Sequence, residues 1–472
     1  MKKLLWIAAV AVAGVGAAAG VCAWWVLGSE KGPWTTRSPA ALEEFLAGYE
    51  DRSRHYHYDA VVHFERALEL DPGFTAAKLY LALTVPDEYP QHQRWFADLE
   101  RADLDSLSDR ERFLVSHFVA LHRGDEAGAR SLLEGYLVDH PEDPFAIHEQ
   151  CQGLWKDQKW DAAETCYRRL LELDPNWAEA QDRLGYIAMA QGRFADAEEQ
   201  FCTYRFLAPE QAAPYHSLAE LLLVVGRYDE ADEALAEALR IKQDFCEAYH
   251  TRLRLRSLAG RLAEALDVLD ELTSIPSCHY YEDLGLACSL RAWLHYQQGE
   301  ADRAWEILSG GCLERNKGFD PVAFRIAAMT GRAAAAAEMK ASLEGLYQEA
   351  VTLEKPVYAE YYAALRSHVE GVERVTAGDL PPAAEHFRQA DRRLGYWAAE
   401  RASFKLFNRL NLLRVLEVLG RDDEAAALRA EIESVNPRVL GEFLIPDLEN
   451  LEKPPQRSPE RTPWGRGSES TG

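Results

Sequence analysis

A single spacing recurs along the middle of this chain and restricts its fold more than any other feature. Stretches that begin at Arg110, Pro144, Ala178, Ala212 and Cys246 align with one another, and the interval between successive starts is constant. A self-similar period of about 34 residues indicates an array of helical hairpins, in which each unit stacks on its neighbours. The period therefore predicts a repeat architecture, although 472 residues would otherwise suggest about three globular domains.

Four positions of the repeat keep their residue type. Position 15 is glycine in four units and Gln158 in another, and a glycine there ends a first helix at a backbone angle that favours this residue. Position 20 is a small residue that lets two helices approach closely, and it reads Ala129, Ala163, Ala197, Ala231 and Ala265. Position 24 is large and fills the seam to the next unit, and it reads Leu133, Tyr167, Phe201, Leu235 and Leu269. Position 32 ends the second helix with proline at Pro141, Pro175 and Pro209.

These units resemble tetratricopeptide repeats. Asp196-Ala197, and Asp229-Glu230-Ala231, follow Gly-Arg and an aromatic residue, as is typical of that family. The tryptophan usual at position 4 is absent, and positions 7 and 8 vary. The resemblance implies an all-α fold, a tetratricopeptide-type α-solenoid in which about ten helical hairpins form a right-handed superhelix.

In that family the first helices of successive hairpins line a concave groove, into which positions 2, 5, 9 and 12 point. Carried over to this sequence, those positions predict a partner-binding groove formed by His148, Gln152, Trp155, Asp182, Tyr186, Met189, His216, Glu220, Leu223, His250 and Arg254. Such an amphipathic groove with aromatic anchors suits an extended peptide or a helix. The alternative is that some of these residues pack against the N-terminal units. The Lys/Asn clamp with which some relatives hold a C-terminal carboxylate is absent from these positions.

The repeat signal weakens on either side of this block. We expect a regular array over residues 41–277 and degenerate, repeat-like hairpins over residues 278–440. Residues 441–472 end in a stretch rich in Pro, Arg, Ser and Gly, which predicts a mostly disordered tail.

The N-terminus carries an uncharged apolar run, residues 4–27, after a short segment at 1–3 and before a linker at 28–40. Its length suits a transmembrane anchor, and a cleaved signal sequence is the alternative. Lys2 and Lys3 favour a single-pass membrane protein with an extracytoplasmic, periplasmic body, with a cytoplasmic body as the other possibility. Gly16 and Gly20 would let two anchors dimerise, unless they reflect only the small-residue content of the run.

The layout of one membrane helix followed by a long repeat array resembles the sensory region of some bacterial membrane-bound serine/threonine kinases. The sequence Asp109-Arg110-Glu111-Arg112-Phe113-Leu114 contributes to this resemblance. The kinase itself is absent from the sequence, because no Gly-rich loop, His-Arg-Asp or Asp-Phe-Gly occurs.

No other catalytic or cofactor motif appears, and we expect no cofactor and no metal site. His55, His57 and His63 are the nearest approach to a metal cluster, but their spacing favours solvated or packing histidines. Eight cysteines lack any zinc-type spacing, and small buried apolar residues are the simplest interpretation of them. The net charge of −25 disfavours nucleic acid as a partner.

Because a strong repeat occurs without a catalytic constellation, the sequence predicts a non-enzymatic, membrane-anchored scaffold that binds protein partners in its groove. The alternative is a signal-input module that regulates a separate kinase or another membrane-associated enzyme. A third possibility is an enzyme hidden in the irregular region from His279 to Leu440.

Overall fold

The computed structural model describes residues 34–85, 90–279, 285–315, 319–396 and 399–443, together with residues 445, 447 and 451. These residues form helices joined by short turns, and no β-strand occurs among them. The predicted all-α fold class is therefore confirmed for this part of the chain.

The chain divides into two compact units. Unit 1 comprises residues 1–219 and 233–248, and unit 2 comprises residues 220–232 and 249–472. The first ten helices belong to unit 1: α1 Pro39–Ser53, α2 His57–Leu70, α3 Thr75–Thr84, α4 Pro90–Leu99, α5 Asp109–His122, α6 Glu126–Asp139, α7 Pro144–Lys156, α8 Trp160–Leu173, α9 Ala178–Ala190 and α10 Phe194–Leu207. Within this series each helix packs against the next one along the chain.

Three successive helices contribute residues to both units, and the first two of them are α11 Ala213–Val224 and α12 Tyr228–Ile241. The helices that follow are α13 Cys246–Leu258, α14 Leu262–Ser274, α15 Leu286–Gln297, α16 Ala301–Ile307, α17 Pro321–Met329, α18 Ala333–Thr352, α19 Pro356–Thr376, α20 Leu380–Arg393, α21 Ala399–Val418, α22 Asp422–Val435 and the single turn α23 Val439–Glu442. From α14 to α23 each of these helices again packs against its successor.

The turns inside the hairpins follow the predicted chemistry. Gly124 and Gly192 adopt φ angles of 77° and 72°, in the left-handed region where only glycine lacks a steric penalty. Gln158 occupies the same repeat position and takes a φ of 53°. Glycine is therefore the preferred residue at this turn, but longer side chains are also accepted: His55 takes a φ of 63° between α1 and α2, and Glu354 takes a φ of 51° between α18 and α19.

Some helix starts are fixed by a side chain just outside the helix. Asp143 precedes α7, and its Oδ1 accepts hydrogen bonds from the backbone N–H groups of Phe145 and Ala146 at 2.9 and 3.2 Å. Its other oxygen accepts from Arg110 on α5 and from Tyr136 on α6. One carboxylate thus caps a helix and also ties the preceding hairpin to it.

The small and large repeat positions meet inside each hairpin. All five predicted alanines at position 20 are buried, as are all five residues at position 24. A further contact was not anticipated: a Cβ atom on Gly185 would lie 2.4 Å from Cε1 of Phe201, so the ring packs directly on the glycine backbone. The same arrangement joins Gly48 to Phe64 and Gly371 to Phe387, each pair at the same separation along the chain.

Six of the cysteines form disulfides instead of serving only as small apolar residues. Cys151 on α7 is bonded to Cys166 on α8, which links the two helices of one hairpin in unit 1. Cys288 on α15 is bonded to Cys312 in unit 2. Two more cysteines are also disulfide-bonded, Cys246 and Cys278. Cys202 on α10 is a free, half-buried thiol.

No helix in the described part of the chain is both long enough and apolar enough to cross a membrane. The longest of these helices, such as the 21-residue α19, carry charges such as Glu360, Arg366 and Glu370 along their length. The predicted single-pass membrane localisation with a periplasmic body is corrected on this finding. The predicted anchor at residues 4–27, with Gly16 and Gly20, lies outside the described residues.

Candidate protein-binding surface

The predicted groove residues lie on the first helices of four successive hairpins. In unit 1 they are His148, Gln152 and Trp155 on α7, Asp182, Tyr186 and Met189 on α9, and His216 on α11. In unit 2 they are Glu220 and Leu223 on α11, and His250 and Arg254 on α13.

A charged cluster lies between α7 and α9 in unit 1. The carboxylate of Glu179 is 3.4 Å from Nε2 of His148, and its Oε1 accepts hydrogen bonds from Gln152 and Arg183, each at 3.2 Å. Sequence reasoning did not select Glu179 or Arg183. Glu179 is position 2 of its unit, one of the four positions that point into the groove in the family, so its place in the repeat could have identified it. Arg183 follows the predicted groove residue Asp182 by one position, and its charge was the only signal for it.

Burial and ion pairing compete within this cluster. Burial disfavours the charged form of His148, but the carboxylates of Glu179 and Glu149 outweigh it and raise the pKa of His148 to about 9. For Glu179, burial disfavours ionisation, but His148 and Arg183 outweigh it and hold its pKa far below the usual range. The cluster therefore carries an imidazolium and two carboxylates beside a guanidinium at neutral pH.

Two half-exposed aromatic side chains lie next to the charged cluster. The rings of Trp155 and Tyr186 are 6.2 Å apart, and the guanidinium of Arg183 lies 5.4 Å from the Trp155 ring centre. The hydroxyl of Tyr186 is 3.4 Å from Ser217 Oγ, which in turn donates to Asp182 at 2.7 Å. The two rings thus combine a fixed orientation with a face that solvent reaches.

Four of the predicted groove residues lie in the interior, and one of them is His148, which is 9% exposed. Asp182 is only 2% exposed, and Met189 and Leu223 are fully buried. The remaining members of the unit 2 group, Glu220, His250 and Arg254, are half-buried. Spacing along a helix selected these positions, but it did not separate the buried residues from those that reach solvent.

The N-terminal hairpin of unit 1 contacts this same region. The hydroxyl of Tyr56 accepts a hydrogen bond from the backbone N–H of Ala212 at 3.0 Å, although 156 residues separate them. Asp59 pairs with Lys242 at 2.8 Å. Burial, followed by His57 and Arg183, lowers the pKa of His55 to about 3. The N-terminal hairpin thus lies near the start of α11 and near Arg183.

Within the described ranges, no group of three or more His, Cys, Asp or Glu side chains is arranged to hold a metal ion.

One segment of the chain matches a family model, that of the tetratricopeptide repeat, over residues 212–245. This is the fourth unit of the predicted register, with the same first residue. The chain contains a tetratricopeptide repeat. Its two helices are α11 and α12, joined by the turn at Gly226, whose φ is 76°. The predicted repeat type is confirmed for residues 212–245, whereas the resemblance to kinase sensory regions finds no support in the comparisons.

A curated relative is the Drosophila melanogaster protein O-mannosyl-transferase Tmtc2, which is 43% identical over 68 residues. The match covers 14% of this chain and only 7% of that protein. A tetratricopeptide repeat protein from Parabacteroides merdae has 16% identity and a TM-score of 0.34, over 59% of this chain and 98% of its own. Yeast Tom70 has 17% identity and a TM-score of 0.40, over 58% of this chain and 60% of its own.

Proposed function

We propose that this chain is a non-enzymatic scaffold that binds a segment of a partner protein on the concave face of unit 1. The observation that carries the proposal is the half-exposed pair Trp155 and Tyr186 beside the charged cluster of His148, Glu179 and Arg183. Aromatic anchors flanked by fixed charges are the arrangement that supplies most of the affinity at protein interfaces. The tetratricopeptide repeat at residues 212–245 supports the same class of function.

The buried members of the predicted groove have a different role in this proposal. Asp182 fixes Ser217 and through it Tyr186, while Met189 packs beneath the surface. We therefore assign partner contact to Gln152, Trp155, Tyr186 and His216. Asp182 and Met189 are assigned to the support of that surface.

The proposal is tested with a phage-displayed peptide library selected on the full protein. Trp155→Ala combined with Tyr186→Ala removes both anchors, and we expect the selected peptides to bind this variant at least tenfold more weakly, a loss of about 1.4 kcal/mol or more. Dissociation constants are measured by fluorescence anisotropy.

The matched control is Phe206→Ala on α10, because this aromatic side chain is 82% exposed and lies outside the predicted groove. Its substitution should leave the dissociation constants unchanged, and circular dichroism should show native helix content in every variant. Equal affinity for the double variant and the unmodified protein would eliminate the proposed surface.

A further inference from the structure

A buried arginine in unit 2 has its charge neutralised by a carboxylate from the C-terminal end of the chain. Arg325 lies on α17 and is fully buried. Its Nε donates to Asp447 Oδ1 at 3.2 Å, and its Nη2 donates to the other oxygen of the same carboxylate. Its Nη1 donates to Asn411 at 2.8 Å. Because an unpaired buried charge is strongly unfavourable, this pocket requires an anion.

A second donor faces the same carboxylate. The hydroxyl of Tyr296 on α15 donates to Asp447 Oδ1 at 2.6 Å. Burial, and then the charge of Asp447, raise the pKa of Tyr296, so the hydroxyl keeps its proton. A bidentate guanidinium and a phenol hydroxyl together give a directional receptor for one carboxylate group.

The walls of the pocket come from first helices of their hairpins. Tyr296 lies on α15, Arg325 on α17 and Asn411 on α21, and each of these helices precedes its hairpin partner. Phe407 on α21 adds its ring 5.2 Å from the Arg325 guanidinium. In unit 2 the helices that correspond to the predicted binding surface therefore form a carboxylate site. This site uses none of the residues assigned to partner binding in unit 1.

The segment that fills the site has the pattern of a bound peptide. After α22, Asn436 is fully buried and donates to the carbonyl of Leu223 at 3.3 Å. The ring of Phe443 then lies 6.3 Å from that of Trp293, and Ile445 is 4% exposed. Phe443 and Ile445 thus pack within unit 2, and the carboxylate of Asp447 follows them along the chain.

The turns of two hairpins are shaped for this segment. A Cβ atom on Gly226 would lie 2.4 Å from Asn436 Oδ1, and one on Gly260 would lie 2.8 Å from the carbonyl oxygen of Glu442. Glycine is therefore favoured at these turns for two reasons. It adopts the positive φ angle without a steric penalty, and its lack of a Cβ atom leaves room for the C-terminal segment.

We infer that the pocket of Arg325 and Tyr296 is a peptide-binding site for an acidic segment of a partner protein, and that the chain's own segment carrying Phe443, Ile445 and Asp447 is its intramolecular occupant. The ligand class follows from the occupant: an aromatic residue, an aliphatic residue two positions later and an aspartate two positions after that. A partner segment with this pattern displaces the chain's own segment and replaces each of its contacts.

Displacement is governed by effective concentration. A tethered segment competes at an effective concentration in the millimolar range for a short flexible connection, so an added peptide binds weakly until the tethered segment is loosened. Removing the Asp447 carboxylate from the chain leaves the guanidinium of Arg325 without its anion, and an added aspartate peptide supplies it again.

The experiment uses a fluorescein-labelled synthetic peptide with the sequence of residues 436–451 and the full-length chain. We expect the peptide to bind the Asp447→Ala chain at least tenfold more tightly than the unmodified chain. The same peptide with asparagine in place of its aspartate should bind the Asp447→Ala chain at least tenfold more weakly. The aspartate peptide, and not the asparagine peptide, should also raise the melting temperature of that chain.

Phe443→Ala serves as a second host, because it loosens the segment without leaving Arg325 unpaired. In this host, adding Tyr296→Phe should weaken peptide binding severalfold, whereas Tyr358→Phe, at a tyrosine that is 52% exposed, should not change it. Equal affinity for the aspartate and asparagine peptides, or no binding to either host, would overturn the inference. So would an unmodified chain that is a dimer and that Asp447→Ala converts to a monomer, since the occupant would then be a second copy.

Discussion

His148 and His55 both belong to unit 1, yet their pKa values move in opposite directions. Burial disfavours the charged form of each imidazole, and it is the largest effect on both. The difference lies in the neighbours. Glu179 and Glu149 face His148, and their attraction exceeds the effect of burial, whereas His57 and Arg183 add to it at His55.

The charged state of His148 makes the stability of unit 1 depend on pH. The pKa of His148 is raised to about 9 in the folded chain from 6.5 in the unfolded chain. Its contribution is therefore complete below pH 6.5 and is lost as the pH rises through 9. We expect a loss on the order of 2 kcal/mol in the free energy of unfolding over this window.

Urea unfolding of the unmodified protein and of His148→Gln at pH 6 and pH 9 measures this contribution. The stability difference between the two proteins should shrink at the higher pH, because other titrating groups affect both equally. A difference that stays constant between the two pH values would show that His148 does not carry a raised pKa.

At the scale of the helical hairpin, a phenylalanine at position 24 packs on a glycine at position 8, which lies on the preceding helix of the same hairpin. Where position 24 is phenylalanine, as at Phe201, position 8 is Gly185 and the ring rests on the bare backbone. Where position 24 is the smaller Leu235, position 8 is Ala219. The size of one side chain is thus matched by the absence or presence of a methyl group on the other helix.

This matching predicts a compensating pair of substitutions. Gly185→Ala should destabilise the protein by about 1–3 kcal/mol, because the new Cβ atom overlaps the ring of Phe201 and overpacking outweighs the better helix propensity of alanine. Combining it with Phe201→Leu should recover part of that loss, since the hairpin with Ala219 and Leu235 already uses this pair.

A double-mutant cycle on the urea midpoints measures the coupling between positions 185 and 201. We expect the double variant to be more stable than the sum of the single effects by about 0.5 kcal/mol or more. Gly192→Ala is the contrasting substitution, since a Cβ atom there meets nothing within 4 Å and its cost comes from the φ of 72° alone. Its effect should be additive with Phe201→Leu.

At the scale of the whole molecule, each unit holds a covalent crosslink of its own. Cys151 and Cys166 are 15 residues apart in unit 1, and Cys288 and Cys312 are 24 residues apart in unit 2. A crosslink of this span restricts the unfolded chain and stabilises the fold by about 3 kcal/mol. The net charge of −25 causes electrostatic repulsion within the folded chain and so destabilises it. The disulfides offset part of this destabilisation.

These crosslinks predict which cysteines react and how the protein responds to a reductant. Without reductant, iodoacetamide should modify Cys202 and spare the disulfide-bonded cysteines, as peptide mass spectrometry of a non-reducing digest will show. Replacing Cys151 and Cys166 by alanine should lower the stability by about 3 kcal/mol. Alkylation of Cys151 in the folded, unreduced chain would contradict the crosslink.

Much of the local fold could be predicted from sequence because the contacts that define it are close along the chain. The turn at Gly192, the small residue Ala197 and the large Phe201 all lie within one repeat unit, and each recurs in the others. Because the same local contacts recur in successive units, the residue types that form them recur in the sequence at a fixed period. The pairing of Gly185 with Phe201 is equally local, but it was not predicted because other units use different residue pairs.

The candidate sites could be predicted only in part. The repeat spacing predicted which positions of the first helices line the groove, and Trp155 and Tyr186 are among those positions. Whether a residue on that face reaches solvent depends on other hairpins, as with Asp182, which is buried under its bond to Ser217. No period predicts such a partner, because it occurs in one place only.

The sequence by itself determined that this chain folds as helical hairpins with a tetratricopeptide period, because hairpin turns and seams depend on residues within a few helical turns of one another. Only the tertiary structure decided which distant segments of the chain contact the first helices of the hairpins. Tyr56 reaches Ala212 over 156 residues, and Asp447 reaches Arg325 over 122 residues. Such contacts join residues that are far apart in the sequence, and they form only when the hairpins between them have stacked. They therefore leave no local pattern in the sequence.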